Sequence, residues 1–232
     1  MEAGPPPAAT GDHLSAVIGA NDLVNIAQQL LPGVRTTLLI TLTVMPLAVL
    51  VAVVIALIRL ESVPVLSRVV AFYVDTIRST PLLFQLFFVF YILPFIGVFV
   101  GPWPAAVGTL VLHFGAYQSE IVRAGIRSVP QTNVEAARVL GMSRWLTYRR
   151  VIAPLASRVI LPPMGNSLLE LLKATVIVSL VSLPDLMFVG NVVIGQTFKT
   201  PQVLALITVF FIGVGYPANR LLRVLERKVR LP

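Results

Sequence analysis

Few side chains in this sequence could carry chemistry, and those that stand out are polar groups set in apolar surroundings. Asn166, Glu170 and Lys173 fall at i, i+4 and i+7 inside the stretch Leu161–Leu183, a spacing that puts all three on one face of a helix. Such a stripe suits a zwitterion: Glu170 can meet an ammonium group and Asn166 either charged end, as expected of ionisable groups that line a path through a membrane. An intrahelical Glu170–Lys173 pair that merely orients the helix accounts for the same spacing. Gln85 lies in another apolar run and reads either as a path contact or as an interhelical hydrogen-bonding group. Tyr117 and Glu120 sit near the end of a third run, where a gate and a helix cap are both open. His113 reads as a packed, hydrogen-bonded histidine, and Phe84, Phe87, Phe88 and Phe90 as lipid contact and packing.

Other chemistries are excluded by what is missing. Cysteine is absent, which removes disulfides, thiolate metal sites and a cysteine nucleophile. His13 and His113 are far apart and neither has a partner at metal-ligand spacing. None of Lys173, Lys199 and Lys228 follows a glycine, so the phosphate-cradling Gly-Lys motif is missing and no nucleotide or other cofactor is expected on this chain. No nucleophile and base converge at a useful spacing, and an enzyme is not expected.

The elements that would position these residues are membrane helices. Of 232 residues, 56% are hydrophobic and only 12% charged, a balance outside the range of soluble domains. The formal charge of +8 gathers where membrane topology would put it rather than over a soluble face, which argues against nucleic acid. Residues 1–34 contain no Lys or Arg, so a secretory basic region is missing, and the start around Pro5-Pro6-Pro7-Ala8-Ala9 reads as a flexible tail over 1–20. A crossing takes roughly 20 apolar residues. Runs bounded by charge, or by the breaker Gly101-Pro102-Trp103-Pro104, give crossings at about 34–59, 69–98, 104–125 and 200–222. Arginines 123, 127, 138, 144, 149, 150 and 158 and the basic C-terminal tail both belong inside the cell by the positive-inside rule. An even number of crossings must separate them, so 160–184 crosses despite Glu170 and Lys173. The expected architecture is all-α, one transmembrane domain over 21–232 with about five crossings, N-out and C-in. Residues 22–31 have near-helical apolar spacing and either lie flat on the outer interface or extend the first crossing.

Between the third and fourth crossings, residues 127–157 form a polar loop with its own signals. Thr132-Asn133-Val134-Glu135 has the form of a capping box that starts a helix. Gly141 permits the left-handed turn that ends it, Ser143 can cap a second helix, and Pro154 is expected to stop that one. The product is a helix-turn-helix with small Ala136 and Ala137 open to close approach. A DNA-binding role for it is disfavoured by its position between membrane helices.

These residues resemble a known family. Glu135-Ala136-Ala137, three residues, Gly141, nine residues, then Val151-Ile152-Ala153-Pro154 is similar to the EAA motif of permease subunits of ABC importers, with Val151 for Ile and Ala153 for Leu. Arg78-Ser79-Thr80-Pro81-Leu82-Leu83-Phe84-Gln85 resembles the R-G-T-P-L-L-x-Q signature of the polar amino acid subfamily. Ala116-Tyr117-Gln118-Ser119-Glu120-Ile121-Val122-Arg123-Ala124-Gly125-Ile126 is similar to its A-Y-x-x-E-x-x-R-G-G-I stretch, and Asn166 with Lys173-Ala174-Thr175 to N-x6-K-D-T, Ala174 replacing an acid. Gln131-Thr132-Asn133 stands where the family usually has K-G-Q.

The resemblance implies a type I ABC importer permease in the inner (plasma) membrane of a bacterium, with its EAA loop docking on a cytoplasmic ATPase dimer that holds the ATP and Mg. It implies a second permease chain, homologous or identical, and an extracytoplasmic substrate-binding protein. The implied cargo is a small polar amino acid, with an ectoine-like compatible solute or an opine as alternatives. An ion-coupled secondary transporter is the rival from another class; it predicts internal repeats, and none is evident.

Overall fold

The computed structural model of the chain describes residues 20–60 and 64–229; the expected tail lies mostly outside them. Among the described residues there is no strand, and the elements are α1 (Ala20–Leu60), α2 (Pro64–Ser79), α3 (Leu82–Phe87), α4 (Pro102–Arg127), α5 (Gln131–Val139), α6 (Arg144–Thr147), α7 (Ala153–Ala174), α8 (Leu186–Thr197) and α9 (Thr200–Val229). A wide turn (Phe88–Ile92) and a tight one (Leu93–Ile96) prolong α3, a wide turn (Tyr148–Ile152) joins α6 to α7, and a tight helical run (Thr175–Val181) prolongs α7. Asp22–Leu60, Arg144–Val181 and Thr200–Val224 are each long and apolar enough to cross a membrane.

α1 and α4 form the spine. Ile40, Val44, Ala48, Ala52 and Ala56 repeat every fourth residue and are fully buried, the one-sided stripe of a helix packed on a neighbour. α4 runs parallel to it, its later residues meeting the later residues of α1, so that Ala106, Leu110 and Phe114 join Ile40, Val44 and Ala48 in one core with Leu171 of α7 and Val178 beyond it. The contact is close because the residues are small: a Cβ on Gly115 would lie 2.8 Å from Val51 Cγ1.

One open alternative is decided, one expectation changes and one helix is new. Residues 22–31 extend the first crossing as helix, since α1 runs unbroken from Ala20 and takes Pro32 and Pro46 in its interior. The stretch 69–98 is two helices rather than one, with a bend of 110° between Pro64–Ser79 and Leu82–Ile96. Pro81 is responsible: it has no N–H to give to the carbonyl four residues back, and it disfavours helix at the residue before it. Finally, a separate short helix, α8, follows Pro184. Asp185 caps it, accepting from Phe188 N at 2.9 Å, while Thr37 of α1 accepts from Leu186 N at 3.1 Å. Sequence reading missed this helix because its mean composition resembles the apolar runs beside it.

Candidate functional site

The helix-turn-helix is built by local backbone chemistry. Gly141 has φ +73°, and its N–H and that of Met142 donate to Arg138 O (2.9 Å) and Ala137 O (3.1 Å), the paired bonds that close a helix through a left-handed residue. Ser143 caps α6 as expected, accepting from Leu146 N at 3.3 Å. The capping box is not formed. Pro130, with φ −58° and ψ 134°, takes the cap position of α5 and makes no side-chain cap bond; its carbonyl accepts from Asn133 N at 3.1 Å. The fixed proline φ thus starts the helix two residues before Thr132 could cap it, and Gln131, Thr132 and Asn133 become an exposed first turn.

Pro154 does not stop the second helix. The chain continues as helix from Arg144 to Val181, and the wide turn Tyr148–Ile152, where Ala153 N–H reaches back to Tyr148 O, absorbs the missing proline donor. Glu135, Ala136 and Gly141 are exposed and Ala137 is buried under the turn. Around Gly141 three large apolar side chains stand in the open: Val139 (87% exposed), Leu140 (79%) and Trp145 (74%). Nothing else among the described residues covers them.

The residues expected to line a path divide in two. Gln85 is buried and internally satisfied: its Nε2 donates to Ile77 O at 2.7 Å and Thr80 O at 2.8 Å. Ile77 O is the carbonyl that Pro81 leaves without a helical donor, so the Gln85 amide replaces the missing N–H and holds the bend. Gln85 Oε1 lies 3.1 Å from His113 Nδ1; an amide oxygen only accepts, so the histidine proton is on Nδ1. Tyr117 Oη donates to Arg78 O at 3.2 Å and its ring lies 5.4 Å from the Arg78 guanidinium carbon. Thr80 Oγ1 donates to Thr76 O at 2.9 Å. The Gln85–His113 and Tyr117–Arg78 contacts tie the Arg78–Pro81 elbow to α4.

Asn166, Glu170 and Lys173 behave differently. All three are exposed on α7, and among the described residues no ion pair joins Glu170 to Lys173. Lys173 borders a cleft of about 290 Å³ between α7 and α9, lined also by Tyr216 and Asn219. Glu120 neither caps a helix nor stands free: its carboxylate binds Arg59 at the end of α1 and Arg123 one turn along α4. Sequence reading missed Arg59 as its partner because the two are 61 residues apart and no local pattern links them. It also missed the buried Gln118, whose Nε2 donates to Ser167 Oγ at 2.9 Å across α4 and α7.

Residues 45–231 match the family model described as the binding-protein-dependent transport system inner membrane component. The chain belongs to this family. Among relatives of this permease, the nopaline transport system permease protein NocM of Agrobacterium fabrum is 33% identical over 208 residues, covering 85% of this chain and 86% of its own. The L-cystine transport system permease protein TcyB of Bacillus subtilis is 40% identical over 154 residues, 66% of each chain. A solved amino acid ABC transporter crystallised with histidines superposes at a TM-score of 0.83 with 31% identity, covering 89% of this chain and 97% of that one. The fold is therefore the all-α ABC importer permease fold, and the helix-turn-helix and polar stripe described above belong to a transport subunit.

Proposed function

We propose that this permease forms the membrane path of an ATP-driven importer for a small polar amino acid or related zwitterion. The cytoplasmic helix-turn-helix, with Glu135, Ala136, Ala137, Gly141 and Pro154, docks on a separate ATPase dimer that binds the ATP and Mg. The observation that carries this reading is the uncovered apolar cluster Val139, Leu140 and Trp145 around the left-handed turn at Gly141. A water-facing loop gains nothing by exposing a tryptophan; a docking face does, because such side chains anchor interfaces. The chain crosses the inner membrane about five times over 21–232, N-out and C-in, works with a second permease chain, and receives cargo from an extracytoplasmic binding protein.

Glu170 and Lys173, without an ion-pair partner among the described residues, support a zwitterionic cargo. Charges left without a partner at membrane depth are too costly to face lipid, so they face water, substrate or the second chain. The relatives' substrates, an opine and L-cystine, carry amino and carboxylate groups that suit both, and an ectoine-like solute is the alternative.

The test is uptake into proteoliposomes holding this chain, its partner permease chain, its ATPase and its binding protein, with labelled glutamine, cystine, nopaline and ectoine as probes. Uptake is expected to need ATP, to ignore an imposed ion gradient, and to disappear on replacement of Glu135 and Gly141. Uptake driven by the ion gradient alone would make the chain a secondary transporter. Unchanged uptake in the replaced chain, with the protein still in the membrane, would remove the docking role.

A further inference from the structure

The contact between α1 and α4 is long and close-packed. Its central residues are Ala48, Ala52 and Ala56 on one side and Gly115 and Ala116 on the other, all buried. Val51 of α1 seats over Gly115 midway along it, while Ala52, Ala56 and Ala116 towards the end of α1 offer little to interlock, and interlocking side chains are what fix the register of two helices. At the end of this contact the register is pinned by charge. Glu120 binds Arg59, in the last turn of α1, and Arg123, on its own helix, with all three side chains half-buried. One turn before Glu120, Tyr117 holds the Arg78 end of α2 by a hydrogen bond and by its ring. α4 then leads through Ser128, Val129 and Pro130 directly into α5.

Force applied to the helix-turn-helix has two covalent routes into the membrane: α4, across that short link, and α7, whose helix is continuous with α6. α1 has neither. We propose that Glu120 is the positioning residue that makes α1 follow α4 when the docking loop moves, by clamping the Arg59 end of α1 to the helix that enters the loop. The inference rests on the docking role proposed above. A half-buried ion pair suits the task, because removing one partner strands the other charge away from water and is much costlier than breaking an exposed pair. With the pair intact the Arg59 end of α1 and α4 move as one body; without it that end, where the facing residues are small, is free to lag behind α4.

The chain has no cysteine, so introduced cysteines carry spin labels without background. One pair, at Thr132 and Leu221, reports the loop, and another, at Leu57 and Leu221, reports the end of α1; all of these positions are exposed. Distances are measured by pulsed electron resonance in the reconstituted transporter with its ATPase, with and without ATP and vanadate. In the unaltered chain both distances are expected to shift on trapping. In Glu120→Gln and Arg59→Gln the loop distance still shifts and the α1 shift is lost, whereas Arg59→Lys, which keeps the charge, retains both. An α1 shift persisting in Glu120→Gln and Arg59→Gln overturns the proposal, as does loss of both shifts in Arg59→Gln. If Glu120→Gln does not assemble, the Arg59→Gln and Arg59→Lys comparison decides alone. A loop distance that fails to move in the unaltered chain instead sinks the docking role, and this inference with it.

Discussion

The elbow at Arg78–Gln85 and the helix-turn-helix at Gln131–Ile152 are equally conspicuous as strings of letters, yet they treat their side chains in opposite ways. In the elbow the polar groups turn inward: the Gln85 amide serves two carbonyls and a histidine, and Tyr117 serves a third carbonyl. In the helix-turn-helix the apolar groups turn outward, with Val139, Leu140 and Trp145 among the most exposed large side chains of the chain. A buried amide that repairs a proline break is an answer to a folding problem. An exposed tryptophan is a folding cost that another molecule must recover. The inward region should therefore fail by unfolding and the outward one by losing function while remaining folded.

The sharpest way to break this contrast is Gly141→Val. A β-branched residue cannot hold φ +73° without strain of about 1–2 kcal/mol, so the turn should rearrange. ATP-driven uptake in proteoliposomes is expected to drop by about tenfold or more, with the melting temperature in detergent barely changed. A large loss of melting temperature would show that the loop is part of the core after all.

Gln85→Leu should do the reverse. It strands the carbonyls of Ile77 and Thr80 and leaves His113 without its acceptor, a loss of about 2 kcal/mol or more, read as a lower unfolding temperature. A changed substrate preference at unaltered stability would instead make Gln85 a path residue. Trp145→Ala is expected to leave stability within about 0.5 kcal/mol and to weaken capture of the ATPase on a pull-down from purified components. At the small end, Lys199→Met removes an exposed pair with Asp22, 2.5 Å apart, and should cost less than about 1 kcal/mol in chemical denaturation.

Much of this was legible in the letters because the signals are local. Runs of apolar residues bounded by charge marked the long helices, the glycine at 141 and the serine at 143 marked a turn and a cap, and both are where the spacing put them. Local rules also erred where two of them competed. Thr132 and Glu135 satisfied the capping pattern, but Pro130 had already fixed the start of the helix. Pro154 carried a stop signal, but one wide turn cost less than ending a helix that packs on α4 along its length. Pro81 was visible as a residue that could break a helix, though the 110° bend was not, because its size depends on what α4 offers to hold it.

The sequence by itself therefore determined the class of molecule: an all-helical membrane chain whose polar loop carries a turn built by Gly141, since hydropathy, proline and glycine act over a few residues. Only the tertiary structure decided what the scattered polar residues do. It gave the Gln85 amide the carbonyls of Ile77 and Thr80 to hold, gave Glu120 its partner Arg59 from 61 residues away, and left Glu170 and Lys173 without each other. Ion pairs and side-chain hydrogen bonds depend on which helices become neighbours, and that choice is made by packing along whole faces, which no short stretch of sequence contains.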